Sequence, residues 1–305
     1  MLHIKSLEEG LELFKALGSD MRVQILELLL EHKQLSMNQI ATRLNITNGA
    51  LTGHIKKLES CGLITTTSES ASHGNQKLCA IATQRILIDV EKEAEPGNVH
   101  VTELKIGHYS DINICPTCGL STDTALVGEV DDPRYFDHQD RFNADILWFT
   151  KGYVEYTIPN FIPRSQTITG LSISCEISSE APGFNNDWPS DIRFAINGHT
   201  VGQWTSPGDF GDEQGLLTPD WWPANWNQYG LLKLLTVNQD GTFIDGLQIS
   251  NVTIRDLGLQ PGKSIRFRMS VDEDAVHQGG LTLFGKTFGN YGQDIRVCLI
   301  YTPTK

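Results

Sequence analysis

The first 90 residues carry apolar side chains at helical spacing. Apolar residues recur three or four positions apart, which places them on one side of a helix. Asp20 and Ser36 suit the starts of two such helices, because their side chains accept hydrogen bonds from free backbone N–H groups. The pattern predicts three helices before residue 45, with apolar faces that include Leu7, Leu11, Phe14, Ile25, Leu28, Leu29, Met37, Ile40, Ala41 and Leu44.

A fourth helix and a hairpin follow these three helices. The helix is predicted from about Thr47 to Ser60, and Gly62 suits its C-terminal end because glycine readily adopts a left-handed conformation. Two strand-like stretches, Leu63–Thr67 and Lys77–Thr83, are joined by a polar segment. Four helices followed by a hairpin is the order of a winged helix. We therefore predict a winged-helix domain over residues 1–90.

The pattern changes beyond this point. Glu91–Asn98 is charged and contains Pro-Gly, so residues 91–98 are predicted to be a linker. Short strand-like runs then dominate, and Asn197-Gly198 and Asp240-Gly241 are strong hairpin signals. We predict an all-β jelly-roll or β-sandwich domain over residues 99–305 and, for the whole chain, a multidomain α+β architecture. Its strand-like runs are Val99–Ile106, Tyr153–Ile158, Thr167–Ile177, Asp191–Ile196, Ile265–Val271 and Asp294–Tyr301.

Charge divides the chain at the same place. The formal net charge is −13, and residues 1–92 contain equal numbers of acidic and basic side chains, so the excess acidity lies after them. This distribution argues against non-specific coating of nucleic acid or membranes by the whole chain. Six cysteines do not form a disulfide framework, and no apolar leader opens the sequence. These features favour a cytoplasmic protein with no membrane association.

The fourth predicted helix carries the candidate DNA-binding face. Leu51, Ile55 and Leu58 fall on one stripe that would pack on the domain core. The opposite face includes two glycines, each costing about 1 kcal/mol in a helix relative to alanine. Such a face suits close approach to a DNA groove, although an αα-hairpin with a solvated polar face is the alternative. The predicted DNA-binding residues, including the wing, are Asn48, Gly49, Thr52, Gly53, His54, Lys56, Lys57, His73, Asn75 and Lys77.

Residues 10–83 resemble the ArsR-type winged-helix regulators. That family carries a Leu-Gly-Leu-Ser-like turn, a recognition helix with Ser-x-His-Leu-x-x-Leu, and then Gly-Leu-Ile or Gly-Leu-Val. The corresponding segments here are Leu44-Asn-Ile-Thr, Thr52-Gly-His-Ile-Lys-Lys-Leu58 and Gly62-Leu-Ile. The resemblance implies a homodimer that binds a roughly palindromic double-stranded DNA operator. Metal-sensing members carry Cys-x-Cys where this chain has Ser36-Met-Asn38, so the usual metal sensing is not expected.

Five of the six tryptophans lie between residues 188 and 226, among Asp, Asn and Gln. Sugars offer C–H faces that stack on indole rings and hydroxyls that bind carboxylates and amides, so we predict a ligand-binding face here. The alternative is that about half of these tryptophans are packing residues. The predicted ligand-binding residues are Asp187, Trp188, Trp204, Asp209, Asp212, Trp221, Trp222, Trp226, Tyr229 and His277.

The second domain resembles jelly-roll carbohydrate-binding modules in its layout and in the closing segments Gly279-Gly-Leu-Thr-Leu-Phe-Gly and Gln293-Asp-Ile-Arg-Val. The whole chain is similar to ArsR-like regulators with such a sandwich, often encoded beside genes for plant-polysaccharide breakdown. This resemblance implies a sugar or oligosaccharide effector. The predicted function is that of a ligand-controlled transcriptional regulator, a repressor by the usual logic of the family, with no enzymatic activity and no cofactor.

Two other classes of function remain open from the sequence. Cys115 and Cys118 form a pair that supplies half of a tetrahedral metal site or a redox centre; no second pair at similar spacing follows, so we predict no metal. Glycoside hydrolysis requires two carboxyl groups about 5–10 Å apart. The candidates for it are Asp209 with Asp212, and Asp272 with Asp274.

Overall fold

A computed structural model describes residues 2–4, 6–71, 74–83, 86–88 and 98–303. The chain divides into two compact units, an N-terminal unit of residues 1–93 and a C-terminal unit of residues 94–305. Within the described part of the chain, no helix is long and apolar enough to cross a membrane.

The N-terminal unit has the order of a winged helix. A hairpin of the strands Ile64–Ala71 and Gly74–Ile81 follows the helices. The short strand Leu35–Ser36 extends this sheet beside the second hairpin strand, and Leu2–Ile4 pairs with Ile86–Ile88 in parallel. The helices are α1 (Leu11–Leu17), α2 (Asp20–Glu31), α3 (Met37–Arg43) and α4 (Asn48–Ser60). The strands are β1 (Leu2–Ile4), β2 (Leu35–Ser36), β3 (Ile64–Ala71), β4 (Gly74–Ile81) and β5 (Ile86–Ile88).

Local signals fix most helix ends. Ser36 forms a capping box with Gln39 at the start of α3, as its position predicted, and the Thr47 side chain accepts the Ala50 N–H at the start of α4. Gly62 has φ +71° directly after α4 ends. The prediction for Asp20 is wrong by one position: it is the first residue of α2, and Ser19 occupies the N-cap.

The core of the N-terminal unit gathers apolar side chains from all four helices. Leu51, Ile55 and Leu58 of α4 are almost fully buried and belong to this core. Leu7 and Leu11, predicted on a buried face, are instead about half exposed, because α1 begins only at Leu11 and buries Leu13 and Ala16. The core holds α4 by one side only and leaves its other side to solvent.

The C-terminal unit is an all-β sandwich. Its strands form two layers, and one short strand joins the layers by pairing with a strand of each. Short 3₁₀ helices lie at Pro133–Asp137 and Gln139–Asn143. The strands are β6 (Val99–Leu104), β7 (Asp111–Ser121), β8 (Ile146–Ile158), β9 (Gln166–Ser178), β10 (Ser190–Ile196), β11 (His199–Ser206), β12 (Leu231–Val237), β13 (Thr242–Ile244), β14 (Leu247–Ser250), β15 (Ile265–Val271), β16 (Leu281–Phe284) and β17 (Ile295–Pro303). One layer has the order β7-β8-β15-β10-β11, and the other has the order β6-β17-β9-β12-β13-β14. The joining strand is β16, which pairs with both β8 and β9.

Near β16 the sandwich buries both faces of its strands. Side chains alternate along a strand, so Leu147 and Phe149 of β8 enter the main core while Ile146 and Trp148 point the other way. On that outer side, Ile146 and Trp148 form a second apolar cluster with Trp222, Phe284 and Phe288. The long segment of residues 207–230, between β11 and β12, supplies Trp222 and so covers this part of the sheet.

Candidate DNA-binding helix and ligand cavity

The outward face of α4 is smooth because it carries two exposed glycines. A Cβ atom built on Gly53 meets nothing within 4 Å, and one built on Gly49 meets only Thr47 Oγ1 at 3.9 Å. Thr52 and Lys56 are exposed on the same helix. The packing of the described residues therefore gives no reason for glycine at either position, although each glycine weakens the helix.

The three candidate phosphate-binding lysines differ in their partners. Among the described residues Lys56 has no acidic partner, whereas Lys57 forms an ion pair with Glu12 of α1, and Lys77 lies 3.6 Å from a Glu59 carboxylate oxygen. Glu12 also binds Lys15 at 2.9 Å, and these two lysines lower the pKa of Glu12 to about 2. Lys56 can thus bind a DNA phosphate without first breaking an ion pair. Lys57 and Lys77 must leave their glutamate partners before they bind one.

The polar side chains around this face are partly engaged within the unit. Asn48 Nδ2 donates to Asn38 Oδ1 at 2.7 Å, and Thr52 Oγ1 donates to the Asn48 carbonyl at 2.7 Å. His54 is half-buried, and its Nδ1 atom has no hydrogen-bond partner among the described residues. Of the wing residues, Asn75 lies in β4, and the prediction for His73 falls outside the described residues.

Only part of the predicted tryptophan face comes together. Trp221, Trp222 and Trp226 pack edge-to-face, with ring centroids 5.6 Å apart for Trp221–Trp222 and 5.0 Å apart for Trp222–Trp226. Trp148 of β8, which the sequence did not single out, contacts both Trp222 and Trp226 at 5.8 and 5.9 Å. Trp222 is 4% exposed, belongs to the second apolar cluster and does not line the cavity described below. It is a packing residue, and its prediction as a ligand contact is corrected.

The other two tryptophans of the segment lie apart from this group. Trp204 packs against the main core, and the Lys233 ammonium lies 4.7 Å from the centre of its ring. The prediction that Trp204 belongs to the ligand-binding tryptophan face is therefore corrected. Trp188 is 37% exposed and donates its Nε1–H to the Glu180 carbonyl at 3.1 Å. The Tyr229 ring stacks on Phe210.

A cavity of about 160 Å³ lies beside the tryptophan group. Its volume is below the range of roughly 300–1,000 Å³ typical of drug-sized ligands, so it suits one small chemical group. Two indole rings and several polar groups form its wall, contributed by β7, β8, residues 180–183 after β9, and the segments 122–132 and 207–230. The principal lining side chains are Thr117, Asp131, Trp148, Glu180, Trp226 and Asn227.

The carboxyl group of Glu180 is the central polar group of this wall. It accepts hydrogen bonds from Thr117 Oγ1 at 3.3 Å, Asn227 Nδ2 at 3.2 Å and Thr282 Oγ1 at 3.0 Å. Burial, and next to it the neighbouring Asp209 carboxylate, raises the pKa of Glu180 well above its ordinary value. The cavity therefore presents a carboxyl group that holds its proton more tightly than an exposed glutamate.

Asp209 supports this wall from behind rather than facing a ligand. It is fully buried, its Oδ2 accepts the Ala181 N–H at 2.9 Å, and its Oδ1 has no partner among the described residues. Burial raises its pKa to about 7. The prediction of Asp209 as a direct ligand contact is therefore corrected, because no face of its side chain reaches solvent.

Several remaining candidate residues are held in structural contacts. Tyr229 donates its hydroxyl to Asp212 at 3.0 Å, and the exposed Asp187 donates its backbone N–H to Asn185 Oδ1 at 3.0 Å. The His277 ring lies 3.3 Å from the buried Asp191 carboxylate. The carboxylates considered for glycoside hydrolysis also have partners: Arg193 forms ion pairs with both Asp272 and Asp274.

Cys115 and Cys118 flank a bulge where β7 pairs with β8. Cys115 is exposed, whereas Cys118 is fully buried, and burial raises the pKa of its thiol to about 12. A metal site requires thiolates, which this environment disfavours at Cys118. Across the described residues, no group of three or more potential ligands lies close enough to hold a metal ion.

The cavity depends on residues that the sequence did not indicate. Thr117, Trp148, Glu180 and Asn227 come from four segments and meet only in the folded sandwich. Each sits in a strand, or beside one, without a motif of its own. The one usable signal was the abundance of aromatic and amide residues in 207–230, which identified Trp226 but not its partners.

Comparison with known proteins bears on the N-terminal unit. The model of the winged helix-turn-helix DNA-binding family matches residues 19–65, which contain α2, α3 and α4. An uncharacterized protein of Methanocaldococcus jannaschii is 42% identical over 52 residues, 17% of this chain and 56% of that protein. The match thus spans about half the length of that relative. The N-terminal unit contains a winged helix-turn-helix DNA-binding domain.

Solved structures are similar to parts of the chain at low TM-scores. Reduced HlyU from Vibrio cholerae N16961 is 29% identical over 25% of this chain and 74% of its own, with a TM-score of 0.22. A transcriptional regulator homologue from Pyrococcus horikoshii OT3 is 29% identical over 23% of this chain and 74% of its own, with a TM-score of 0.20. A carbohydrate-binding module, CBM36, in complex with calcium and xylotriose, is 11% identical over 66% of this chain and 99% of its own, with a TM-score of 0.28. At these TM-scores the similarities add no functional argument.

Proposed function

We propose that this chain is a transcriptional repressor that binds operator DNA through α4, as a homodimer, and releases it when a sugar or oligosaccharide binds the β-sandwich. The winged helix-turn-helix domain supports the DNA-binding part. The tryptophan group and its cavity support the ligand-binding part, since ligand sites are concave, largely apolar and carry a few placed polar groups.

The glycine face of α4 is the observation that carries this proposal. Gly49 and Gly53 leave the outward side of the helix without side chains, and the packing of the described residues does not use that space. A helix in the major groove brings its backbone close to base edges and phosphates. Thr52 and Lys56, exposed on the same helix, supply a hydroxyl and a cation for such contacts.

The sandwich suits the role of a control element because its acidity discourages a second DNA contact. The formal charge of −13 belongs to the residues after the winged helix. Ligand control requires that the effector bind the DNA-bound and free states with different affinity, typically by about 1–3 kcal/mol. In a dimer, a change in the spacing of the two recognition helices is sufficient, because half-sites lie about one helical turn of DNA apart.

DNA binding is tested by the salt dependence of affinity for the promoter fragment upstream of the gene itself. Lys56→Ala removes a phosphate contact, so the slope of log affinity against log salt falls by about 0.9, and affinity falls on specific and non-specific DNA alike. Lys33→Ala, an exposed lysine outside the helices, is the matched control and leaves the slope unchanged. Equal slopes for all three proteins would contradict the placement of α4 on DNA.

The effector is tested by thermal-shift screening of the full chain against monosaccharides and oligosaccharides. A ligand present at 100 times its dissociation constant adds about 2.7 kcal/mol of stability. A true effector also lowers the affinity for promoter DNA in the same solution. If no sugar of the panel stabilises the chain or alters DNA binding, the sugar-sensing part of the proposal fails while DNA binding stands.

A further inference from the structure

The sandwich compensates its buried carboxylates in different ways. Glu155, 7% exposed, pairs with the guanidinium of Arg268 at 2.9 Å, so its charge is neutralised within the fold. Glu180 is buried to a similar degree, at 8% exposed, but its hydrogen-bond donors are the neutral side chains described above. A buried carboxylate without a cation is costly, and the fold retains one in a cavity wall.

The described residues supply no cation to this end of the sandwich. Within the described residues, no lysine, arginine or histidine lies within 4.0 Å of the Glu180, Asp131 or Asp209 carboxylates. Asp131, in the same cavity wall, accepts the Cys118 N–H at 2.9 Å. The fully buried Asp209 Oδ1 atom lacks any partner in this part of the structure. In the described part of the chain, the cavity wall thus carries two carboxyl groups, Asp131 and Glu180, with the buried Asp209 behind it, and the donors to them are neutral.

The aromatic walls match the same kind of ligand. Trp148 and Trp226 line the cavity with ring centroids 5.9 Å apart and planes inclined at 64°. The face of an indole ring attracts a cation. The same faces also accept the C–H side of a sugar ring. A ligand with both features satisfies the indoles and the carboxyl group together.

We propose that the cavity between Trp148, Trp226 and Glu180 binds the ammonium group of a small ligand, and that this ligand, the effector, is an amino sugar. The choice of a sugar rests on the proposed function; the choice of an ammonium group rests on the cavity. Glu180 is the counter-charge, and Asn227 and Thr282 hold its carboxyl group toward the cavity.

Binding of an ammonium group couples to a proton. The carboxyl group of Glu180 faces Asp209 from the segment after β11, Asp131 from the segment after β7, and the Cys118 thiol of β7; with burial, the two aspartates raise its pKa. The free carboxyl group therefore keeps its proton to higher pH than an exposed glutamate, and an ion pair with the ligand ammonium releases to solvent any proton that it holds. Affinity for an amine then rises with pH, whereas a neutral sugar that accepts the carboxyl proton binds less tightly as pH rises.

The test is isothermal titration of the full chain with four probes: glucosamine, glucose, N-acetylglucosamine and tetramethylammonium. We expect glucosamine to bind at least about tenfold more tightly than glucose and N-acetylglucosamine. Its affinity rises with pH as long as the amine stays charged, and titrations in two buffers of different ionisation enthalpy show proton release on binding. These measurements use the unmodified protein and require no variant to fold.

Glu180→Gln sharpens the test because it removes the charge and keeps the shape. It is expected to abolish both the preference for glucosamine and the proton release. Glu213→Gln, an exposed glutamate of the same 207–230 segment, is the matched control and behaves as the unmodified chain.

The outcomes separate this inference from the proposed function. Equal binding of glucose and glucosamine overturns the ammonium site and leaves sugar sensing in place. Binding of tetramethylammonium but of no sugar supports the ammonium site and overturns the sugar effector. If no probe binds, or if Glu180→Gln retains the preference for glucosamine, the cavity is not this site, even where DNA binding and its control by another ligand persist.

Discussion

Two glycines, Gly119 of the sandwich and Gly53 of α4, serve opposite purposes. In the sandwich, a Cβ atom on Gly119 would lie 2.2 Å from the Trp148 ring, so glycine there makes room for a side chain of the protein itself. On α4, a Cβ atom on Gly53 would meet nothing within 4 Å. The space beside Gly119 is filled by a side chain of the protein, whereas the space beside Gly53 is left open. An open site that weakens its helix points to contact with another molecule.

Carboxylates show the same contrast. Glu12 is exposed, and Lys57 and Lys15 lower its pKa to about 2, so its charge is compensated and its partners can exchange. Asp209 is buried without a cation, and its pKa rises to about 7. Glu176 shows that burial alone does not make a binding site, because the backbone N–H groups of Gly230 and Tyr291 bind it at 2.8 and 2.9 Å and tie it to loops. Of the buried carboxyl groups of Glu176, Glu180 and Asp209, Glu180 is the one that lines the cavity.

The largest expected effect is that of Trp148→Ala, which should destabilise the sandwich and leave the stability of the winged helix unchanged. Trp148→Ala removes a ring that is 5% exposed and leaves a hole under Trp222 and Trp226, which costs about 3–5 kcal/mol of sandwich stability. Because the core of the winged helix contains no residue of this cluster, its own unfolding and its DNA binding are expected to be unchanged. Calorimetry and a DNA-binding assay on the same protein check this. Parallel loss of both properties would mean that the units depend on each other.

The pH dependence of stability tests the buried carboxylates. Asp209 has a folded pKa of about 7, above its unfolded value of 3.8, so its stabilising contribution is complete below the unfolded value and is lost as pH rises through about 7. Asp209→Asn cannot titrate and should flatten the fall in unfolding free energy between about pH 4 and pH 7. Titration of this single group changes the free energy of unfolding by at most about 1.4 kcal/mol per pH unit.

Denaturant unfolding of the sandwich at several pH values measures this effect. Asp187→Asn, an exposed aspartate, is the matched control and keeps the original pH dependence. If Asp209→Asn shows the same dependence as the unmodified chain, another buried carboxyl group is responsible.

A matched pair of glycine substitutions tests the opening contrast directly. Gly53→Ala should stabilise the winged helix by about 1 kcal/mol, since alanine favours a helix and its methyl group meets no neighbour, yet it should weaken DNA binding. Gly119→Ala should destabilise the sandwich by about 1–3 kcal/mol through overpacking against Trp148 and leave DNA binding unchanged. Thermal unfolding and promoter titration read out both. Full DNA affinity in Gly53→Ala would show that the open face does not approach DNA closely.

The smallest expected effect concerns the exposed ion pair of α4. Glu12→Gln releases Lys57, so affinity for DNA should rise severalfold at low salt and the salt dependence should steepen by about one phosphate contact. Stability should hardly change, because exposed ion pairs contribute little. Glu9→Gln, in the turn before α1, is the control for the loss of one negative charge. Equal increases in both variants would indicate a general charge effect rather than release of Lys57.

The winged helix was largely readable from the sequence because its signals are local. The three-to-four residue period placed Leu51, Ile55 and Leu58 in the core, Ser36 marked the start of α3, and Gly62 marked the end of α4. The errors arose where local signals compete. Asp20 and Ser19 are both good caps, and Leu11 has the right period but lies at the start of a helix that buries Leu13 instead.

By itself, the sequence determined the two-part fold and the outward face of α4, because helical period, caps and turn residues act between neighbours in the chain. The tertiary structure alone decided which tryptophans meet and which carboxyl group lines the cavity. Trp148, Glu180 and Asn227 lie far apart in the chain, and strand pairing through β16 brings them together. Burial and the loss of water around Glu180 are properties of that assembled wall, so no pattern within any one segment encodes them.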